Sequence, residues 1–305
     1  MADLPKHKLG RTGLDVSVIG FGAMELRGPG QMRGRTLAPG QAQSILNAAL
    51  DAGINFIDTS LDYGDSEESI GKYISHRRNE YFLASKCGCM VDQESVARGG
   101  PRHIYTRKNI DEGVNESLKR MKTDHLDLVQ LHNAPERQTL EHEGAIEALL
   151  DLKRQGKVRF IGSSSTLPNL TEHIRMGVFD AFQIPYSALQ REHEDAISQA
   201  AKAGAGTIIR GGVARGSPDE EGRGEADVWK LWERAKLDDL LDGMSQMEFV
   251  LRFTIAHPDL HTTIVGTLNP AHLAENVAVI RNGPLPAPVY NEAKKRLTAA
   301  GSAPA

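Results

Sequence analysis

Short apolar runs alternate with longer amphipathic stretches along most of this chain. Residues 7–18 read as two short strands around Arg11-Thr12-Gly13, a hairpin-like turn whose glycine supplies a backbone angle that other residues resist. Val16 to Gly22 reads as a buried strand. From residue 41 a rhythm sets in. Ser44 to Ala52 is helical and stops at Gly53, Ile54 to Asp58 is a strand, Glu67 to His76 a helix and Tyr81 to Cys87 a strand. Thr106 to Arg120 follows as a helix, with Thr106 at its N-cap and Ile110, Val114, Leu118 and Met121 on one face. Then come Leu126 to Leu131 (strand), Leu140 to Arg154 (helix), Val158 to Ser163 (strand) and Asn169 to Met176 (helix). Ala181 to Ile184 (strand), Glu192 to Ala203 (helix) and Thr207 to Arg210 (strand) continue the pattern. Trp229 to Ala256 is helical in pieces, Thr262 to Val265 is the last strand and Leu273 to Ile280 the last helix of the rhythm.

Strands this short and this apolar suit a parallel sheet covered on both faces. Roughly eight strand–helix units predict a closed (β/α)8 barrel of the triosephosphate-isomerase type, with an N-terminal β-hairpin and extra C-terminal helices. No break in composition marks a boundary, so residues 1–305 are expected to form one domain. Three long loops, 26–40, 88–104 and 211–227, interrupt the rhythm and are candidate lids or binding loops. The small, polar tail Ala299 to Ala305 is expected to fray.

Composition narrows the classes. A 305-residue chain that is 40% hydrophobic and 25% charged is ordinary for a globular protein. A formal charge of -4 gives no electrostatic case for nucleic acid or an anionic membrane. The start, MADLPKHKLG, lacks the apolar core of a signal peptide, no run approaches a membrane span, and two cysteines make no disulfide framework. A reducing, cytoplasmic setting is the expectation. Cys87 and Cys89 read as two small residues packing a loop, with a redox-sensitive pair as the alternative. With only His103 near them no zinc site, and no metal, is expected.

Chemistry concentrates where strands end. Asp58 closes the second barrel strand, Lys86 the third and His132 the fourth, and Tyr63 sits in the loop after the second. Taken singly, Asp58 reads as a turn cap, Tyr63 as a loop aromatic, Lys86 as a snorkelling surface charge and His132 as a structural imidazole. Four ionisable groups at the carboxyl ends of successive strands, where barrels do their chemistry, read otherwise. A phenol titrates near 10, too high for easy proton release at neutral pH; a nearby ammonium lowers that value, and a carboxylate holds the ammonium charged. Tyr63 then serves as general acid to a carbonyl, tuned by Lys86 and Asp58 and oriented with help from His132. The hydride must come from a nicotinamide or a flavin.

The chain resembles the aldo-keto reductase family of NADP(H)-dependent barrel oxidoreductases. The motifs that carry the resemblance are Leu9-Gly10-Arg11-Thr12-Gly13-Leu14, Phe56-Ile57-Asp58-Thr59-Ser60 with Tyr63-Gly64, Ser85-Lys86, Leu118 through Asp127 running into His132, Gly156 through Ser163, Gln183, and Gly266 through Glu275-Asn276. The resemblance implies that Asp58, Tyr63, Lys86 and His132 form the catalytic tetrad, with Asp58 also among the cofactor contacts. It implies that Ser163, Ser164 and Gln183 hold the nicotinamide carboxamide, where the family usually has an asparagine in place of Ser164. It adds the strand end Gly22, Ala23 and Met24, and Glu275 and Asn276 at the adenine. Many members place an aromatic residue where Arg210 stands; a guanidinium can stack on the ring or pair with the pyrophosphate. Gly211, Val213 and Ala214 offer backbone N–H groups to the pyrophosphate. Gly266, Thr267 and the following helix start form an anion site in which His272 is the only candidate cation for an adenosine phosphate. The implied activity is NADPH-dependent reduction of an aldehyde or ketone, with a small carbonyl compound as partner. Arg98, Arg102 and His103 leave room for an anionic substrate, although a solvated loop is the preferred reading, and Trp229 and Trp232 would contribute to the pocket if they turned inward. Two rivals remain: a nicotinamide-binding regulatory subunit with little turnover, and an isomerase or aldolase barrel that uses Lys86 as a Schiff-base amine.

Overall fold

The computed structural model describes residues 3–29, 34–92, 96, 99–214, 216 and 226–305. A two-stranded antiparallel hairpin, β1 (Lys6–Lys8) and β2 (Asp15–Ser17), precedes eight parallel strands. These are β3 (Ile19–Gly22), β4 (Phe56–Asp58), β5 (Phe82–Cys87), β6 (Leu126–His132), β7 (Val158–Ser164), β8 (Ala181–Pro185), β9 (Gly206–Arg210) and β10 (Thr262–Val265). They pair in chain order, and β10 closes on β3, giving a sealed barrel. Among the described residues, eight helices follow or flank them: α1 (Gln41–Asp51), α2 (Ser66–Tyr73), α3 (Arg107–Met121), α4 (Arg137–His142), α5 (Ala145–Arg154), α6 (Asn169–Met176), α7 (Glu194–Lys202) and α8 (Ala226–Arg234). Three more, α9 (Gln246–Ile255), α10 (Pro270–Asn282) and α11 (Ala287–Ala299), complete the chain. Among the described residues no helix is long and apolar enough to cross a membrane.

Side chains alternate across each strand, and that alternation divides the barrel interior into two levels. The lower level is apolar. Phe56, Ala84, Leu128, Ala181 and Ile208 fill it, and Leu9, Leu14 and Val16 of the hairpin close it from beneath. Two positions further along the same strands, the inward residues become Asp58, Lys86, Gln130, Gln183 and Arg210. The hairpin thus acts as a floor, and the polar level opens at the carboxyl ends of the strands.

Several boundaries differ from the sequence expectation for local reasons. Val16 to Gly22 is two strands: Val16 pairs with His7 in the hairpin, and Val18 donates its N–H to Pro5 before the chain enters the barrel. The helix expected over 140–154 is broken at Gly144, whose φ of 68° starts α5 afresh. The one expected over 67–76 ends at Tyr73 and passes into a 3-10 stretch, Ser75–Glu80. Thr106 caps α3 as expected, accepting from Asn109 N. The tail does not fray. Buried Arg191 donates through Nη1 to the carbonyl of Ser302 (2.9 Å), and Ala305 N donates to Glu192 O (3.1 Å).

Against the outer face of β5, α2 packs a buried carboxylic acid, Glu67. Ser85 Oγ donates to Glu67 Oε1 (2.7 Å), and Arg120 Nη1 lies 3.9 Å from Glu67 Oε2. Burial outweighs both and pushes Glu67 up from 4.5 to about 7. The folded chain therefore holds this proton more tightly than the unfolded chain, so its contribution is full below pH 4.5 and is lost as pH rises through about 7. Urea unfolding of the wild type and Glu67→Gln should diverge over that window, the wild type losing on the order of 3 kcal/mol relative to the variant. A difference that stays constant with pH would remove the assignment.

Candidate active site

Asp58 is the hub of the polar level. Its Oδ2 accepts from Lys86 Nζ at 2.6 Å, and its Oδ1 accepts from the amides of Gln130 (3.0 Å) and Gln183 (2.8 Å). Lys86 also donates to the carbonyl of Thr59 (2.8 Å). Asp58, Lys86 and Gln183 are each 2% exposed, so every one of these bonds replaces water. Strand register brings them together: Ala84 stands beside Asp58, Lys86 beside Gln130, and Ser164 beside both His132 and Gln183. Burial pulls Lys86 down, but the charge and hydrogen bond of Asp58 outweigh it and hold the ammonium above its ordinary value. An amine held protonated and doubly bonded has no lone pair for a Schiff base, which argues against the aldolase-type rival.

Tyr63 lies over this pair. Lys86 Nζ is 4.9 Å from the centroid of its ring, and the His132 ring meets it edge-on at 5.8 Å. Burial pushes the phenol above its ordinary value of 10.0, with Lys86 pulling the other way and Asp58 adding to the rise. The expected acidification is thus present as one contribution and is outweighed by loss of water. Beside them Ser60 Oγ donates to Asp62 Oδ1 (2.6 Å) and lies 3.3 Å from His132 Nδ1, which is itself 3.4 Å from Asp62. Burial would raise the Asp62 carboxyl, but His132, Ser60 and His103 together hold it well below the usual range.

The remaining expected positions separate into two groups. Ser164 faces inward, and its hydroxyl donates to Gln183 Oε1 (3.3 Å). Ser163 faces the other way: its Oγ lies 3.1 Å from His173 Nδ1 in α6, on the outer side of β7. Gly22 ends β3, Ala23 is buried with its carbonyl accepting from Ser66 Oγ (2.8 Å), and Met24 is the one exposed large apolar side chain among the described residues. Arg210 continues the inward row of Ile208 at the end of β9. Gly211 and Ala214 form a tight turn (Ala214 N to Gly211 O, 2.9 Å) that also contains Val213. At Gly212 a Cβ would collide with Thr263 Oγ1, and at Gly266 it would lie 2.6 Å from the carbonyl of Gly22, so glycine at both positions lets the loop backbone pack closely against β10 and the end of β3. Buried Thr267 accepts from Asn269 N (3.1 Å), and Asn269 Oδ1 caps α10 through Ala271 N (2.9 Å). His272 and Asn276 are half-buried and Glu275 exposed on that helix.

Trp229 and Trp232 are buried against each other (5.6 Å between rings), Trp229 donating to Gly216 O and Trp232 to Asp238, so they pack the C-terminal helices instead of lining the site. Cys87 and Cys89 are free and buried; burial pushes Cys87 up to about 12 and Cys89 well above its ordinary value, so neither is a resting thiolate. Arg98 lies outside the described residues. Gln130, Ser60 and Asp62 were missed. Gln130 was findable as the one polar inward position between Leu128 and His132.

Comparison with known proteins agrees with the barrel fold. The aldo/keto reductase family profile matches residues 18–297. The chain is 30% identical to the uncharacterized oxidoreductase YqkF of Bacillus subtilis over 289 residues, which is 89% of this chain and 90% of that one. It is 27% identical to the L-galactose dehydrogenase of Arabidopsis thaliana, covering 92% and 89% of the two chains. Among solved structures, the holo form of an aldo-keto reductase from Bacillus halodurans superposes with a TM-score of 0.82 at 29% identity, covering 96% of each chain. The closed barrel and these matches therefore define an oxidoreductase class. The chain belongs to the aldo/keto reductase family.

The buried ion pair gives a direct test. Asp58→Ala leaves the Lys86 ammonium buried and unpaired and should cost about 3–5 kcal/mol in urea unfolding at neutral pH. The double variant Asp58→Ala/Lys86→Met should recover part of that loss; equal stability of single and double variants would deny the coupling.

Proposed function

We propose that this protein is an NADPH-dependent reductase that transfers a hydride to the carbonyl of an aldehyde or ketone, with Tyr63 as general acid. The observation that carries the reading is the stack of groups at one mouth: the Asp58–Lys86 ion pair beneath the Tyr63 ring, with His132 against its edge. A nicotinamide bound beside them supplies or accepts the hydride.

The residues present fit such a cofactor. Gln183 spends one amide hydrogen on Asp58 and takes one bond from Ser164 at Oε1, so a second lone pair on that oxygen can take the N–H of a carboxamide. Ser164 and Gln183 are the carboxamide contacts, with Asp58 behind them. Arg210, the turn over 211–214 and the strand end Gly22, Ala23 and Met24 are the diphosphate side. Gly266, Thr267, His272, Glu275 and Asn276 are the adenosine side. Asn269 already satisfies one N–H at the start of α10, which leaves His272 as the group that would sense a 2′-phosphate.

The protein's own part in the reaction is proton supply and charge placement. Burial keeps Tyr63 a neutral phenol at physiological pH, so it arrives with a proton to give. The ammonium of Lys86, fixed by Asp58, stabilises the phenolate left after the transfer. His132 lies where its ring can orient the carbonyl oxygen.

Tyr63→Phe should lower kcat by about 100-fold or more, the scale of a lost general acid, with cofactor affinity nearly unchanged by fluorescence titration. In the reverse direction the phenolate is the active form. Alcohol oxidation should therefore rise with pH through the neutral and alkaline range while carbonyl reduction stays level; an oxidation rate independent of pH would reject Tyr63 as the titrating base. His272→Ala should weaken NADPH more than NADH, and an equal loss for both would move phosphate selectivity elsewhere.

A further inference from the structure

Four metal-ligating side chains converge beside Tyr63. Asp62 comes from the loop after β4, Cys89 from just beyond β5, His103 from the returning arm of the same loop, and His132 from the end of β6. One ligand atom from each lies within 4.8 Å of the other three. The closest separations are Cys89 Sγ to His132 Nδ1 at 3.2 Å, His132 Nδ1 to Asp62 Oδ1 at 3.4 Å, and His103 Nε2 to Asp62 Oδ2 at 3.8 Å. Bonds of about 2.0–2.3 Å to a tetrahedral zinc imply ligand–ligand edges of about 3.3–3.7 Å. These three separations fall near that range and the remaining ones stay within 4.8 Å, so the side chains close the shell by drawing together by up to about 1 Å.

The scaffold is already in place. Cys89 and His103 face each other across an antiparallel bridge, fastened by Met90 N to Arg102 O (2.8 Å) and Ile104 N to Gly88 O (2.7 Å). The His103 ring stacks on Tyr105 at 6.4 Å and meets His132 edge-on at 5.0 Å. Tyr105 donates from its hydroxyl to the carbonyl of His132 (2.7 Å), tying the two arms together. Cys89 is buried while Asp62 and His103 are half-buried, so an ion has a path in from the loop side. A carboxylate, a thiolate and two neutral imidazoles sum to two negative charges, matching a divalent cation.

We propose that Asp62, Cys89, His103 and His132 form a four-coordinate site for a borderline-to-soft divalent ion, zinc foremost, at the mouth of the barrel. The thiolate excludes magnesium and calcium as preferred occupants, because hard ions take oxygen ligands. As the S–metal bond forms, the Cys89 S–H bond breaks and its proton passes to solvent, so each bound ion releases one proton. Coordination at Nδ1 of His132 fixes that ring's remaining proton on Nε2. The site rests on the packing of these four residues and does not depend on the reductase reading. Sequence spacing concealed it because Asp62 and His132 stand 27 and 43 positions from Cys89.

The test uses cobalt(II) added to the full-length, metal-free protein without an appended histidine tag. The expected result is one ion per chain, with a thiolate-to-cobalt charge-transfer band and the intense visible bands of a tetrahedral ion, both bleached by one equivalent of zinc. Calorimetry in buffers of different ionisation enthalpy should count one proton released. Cys89→Ser should abolish the charge-transfer band, His103→Ala should weaken cobalt binding at least tenfold, and Cys87→Ala, checked for folding by circular dichroism, should retain the spectrum. Absence of the band in the wild type, its survival in Cys89→Ser, its loss in folded Cys87→Ala, or unchanged affinity in His103→Ala would each overturn the site.

Discussion

The polar half of this barrel depends on one buried ion pair. Taking an ammonium and a carboxylate out of water costs several kcal/mol per ion, and their attraction repays it only when the remaining hydrogen-bonding capacity is also met. Asp58 meets that demand with three donors, and Lys86 adds a backbone carbonyl. Gln130 and Gln183 are therefore positioning residues: each donates from its amide to the same carboxylate oxygen of Asp58. The consequence for Tyr63 is a fixed positive charge near its ring, in a place from which burial has removed competing solvent.

The same pair explains why the two levels of the barrel differ so sharply. Below it, strands contribute only apolar inward groups, and the hairpin completes their packing. Above it, the inward positions carry amides, charges and hydroxyls that satisfy one another. Each strand is continuous through both levels, so the rigid apolar portion positions the polar end without help from the loops. Loops then add Tyr63, Asp62, Cys89 and His103 to groups whose backbone is already fixed.

Much of this was legible in the sequence. Asp58, Lys86 and His132 were readable because a polar residue at the end of a short apolar strand conflicts with burial unless it has a task. The eight-fold rhythm was readable because parallel strands covered on both faces leave an uninterrupted apolar signature. What escaped was decided at finer scale. Ser163 and Ser164 differ by one position, and only the pleat decides which faces Gln183 and which faces His173. Gly144 breaks a helix that the apolar spacing would have carried through. Arg191 secures a tail whose composition alone suggested fraying, and no local pattern announces a partner more than a hundred residues away. The direction of the Tyr63 shift escaped as well, because the contest between a neighbouring charge and lost hydration depends on depth, which a linear pattern does not encode.

The hairpin floor has a kinetic corollary. With Leu9, Leu14 and Val16 stopping the lower end, the barrel is a cul-de-sac from beneath. Whatever settles against Gln183 and Ser164 therefore arrives from the carboxyl side of the strands, a direction of traffic imposed by a three-residue stopper at the opposite end of the barrel from its polar level.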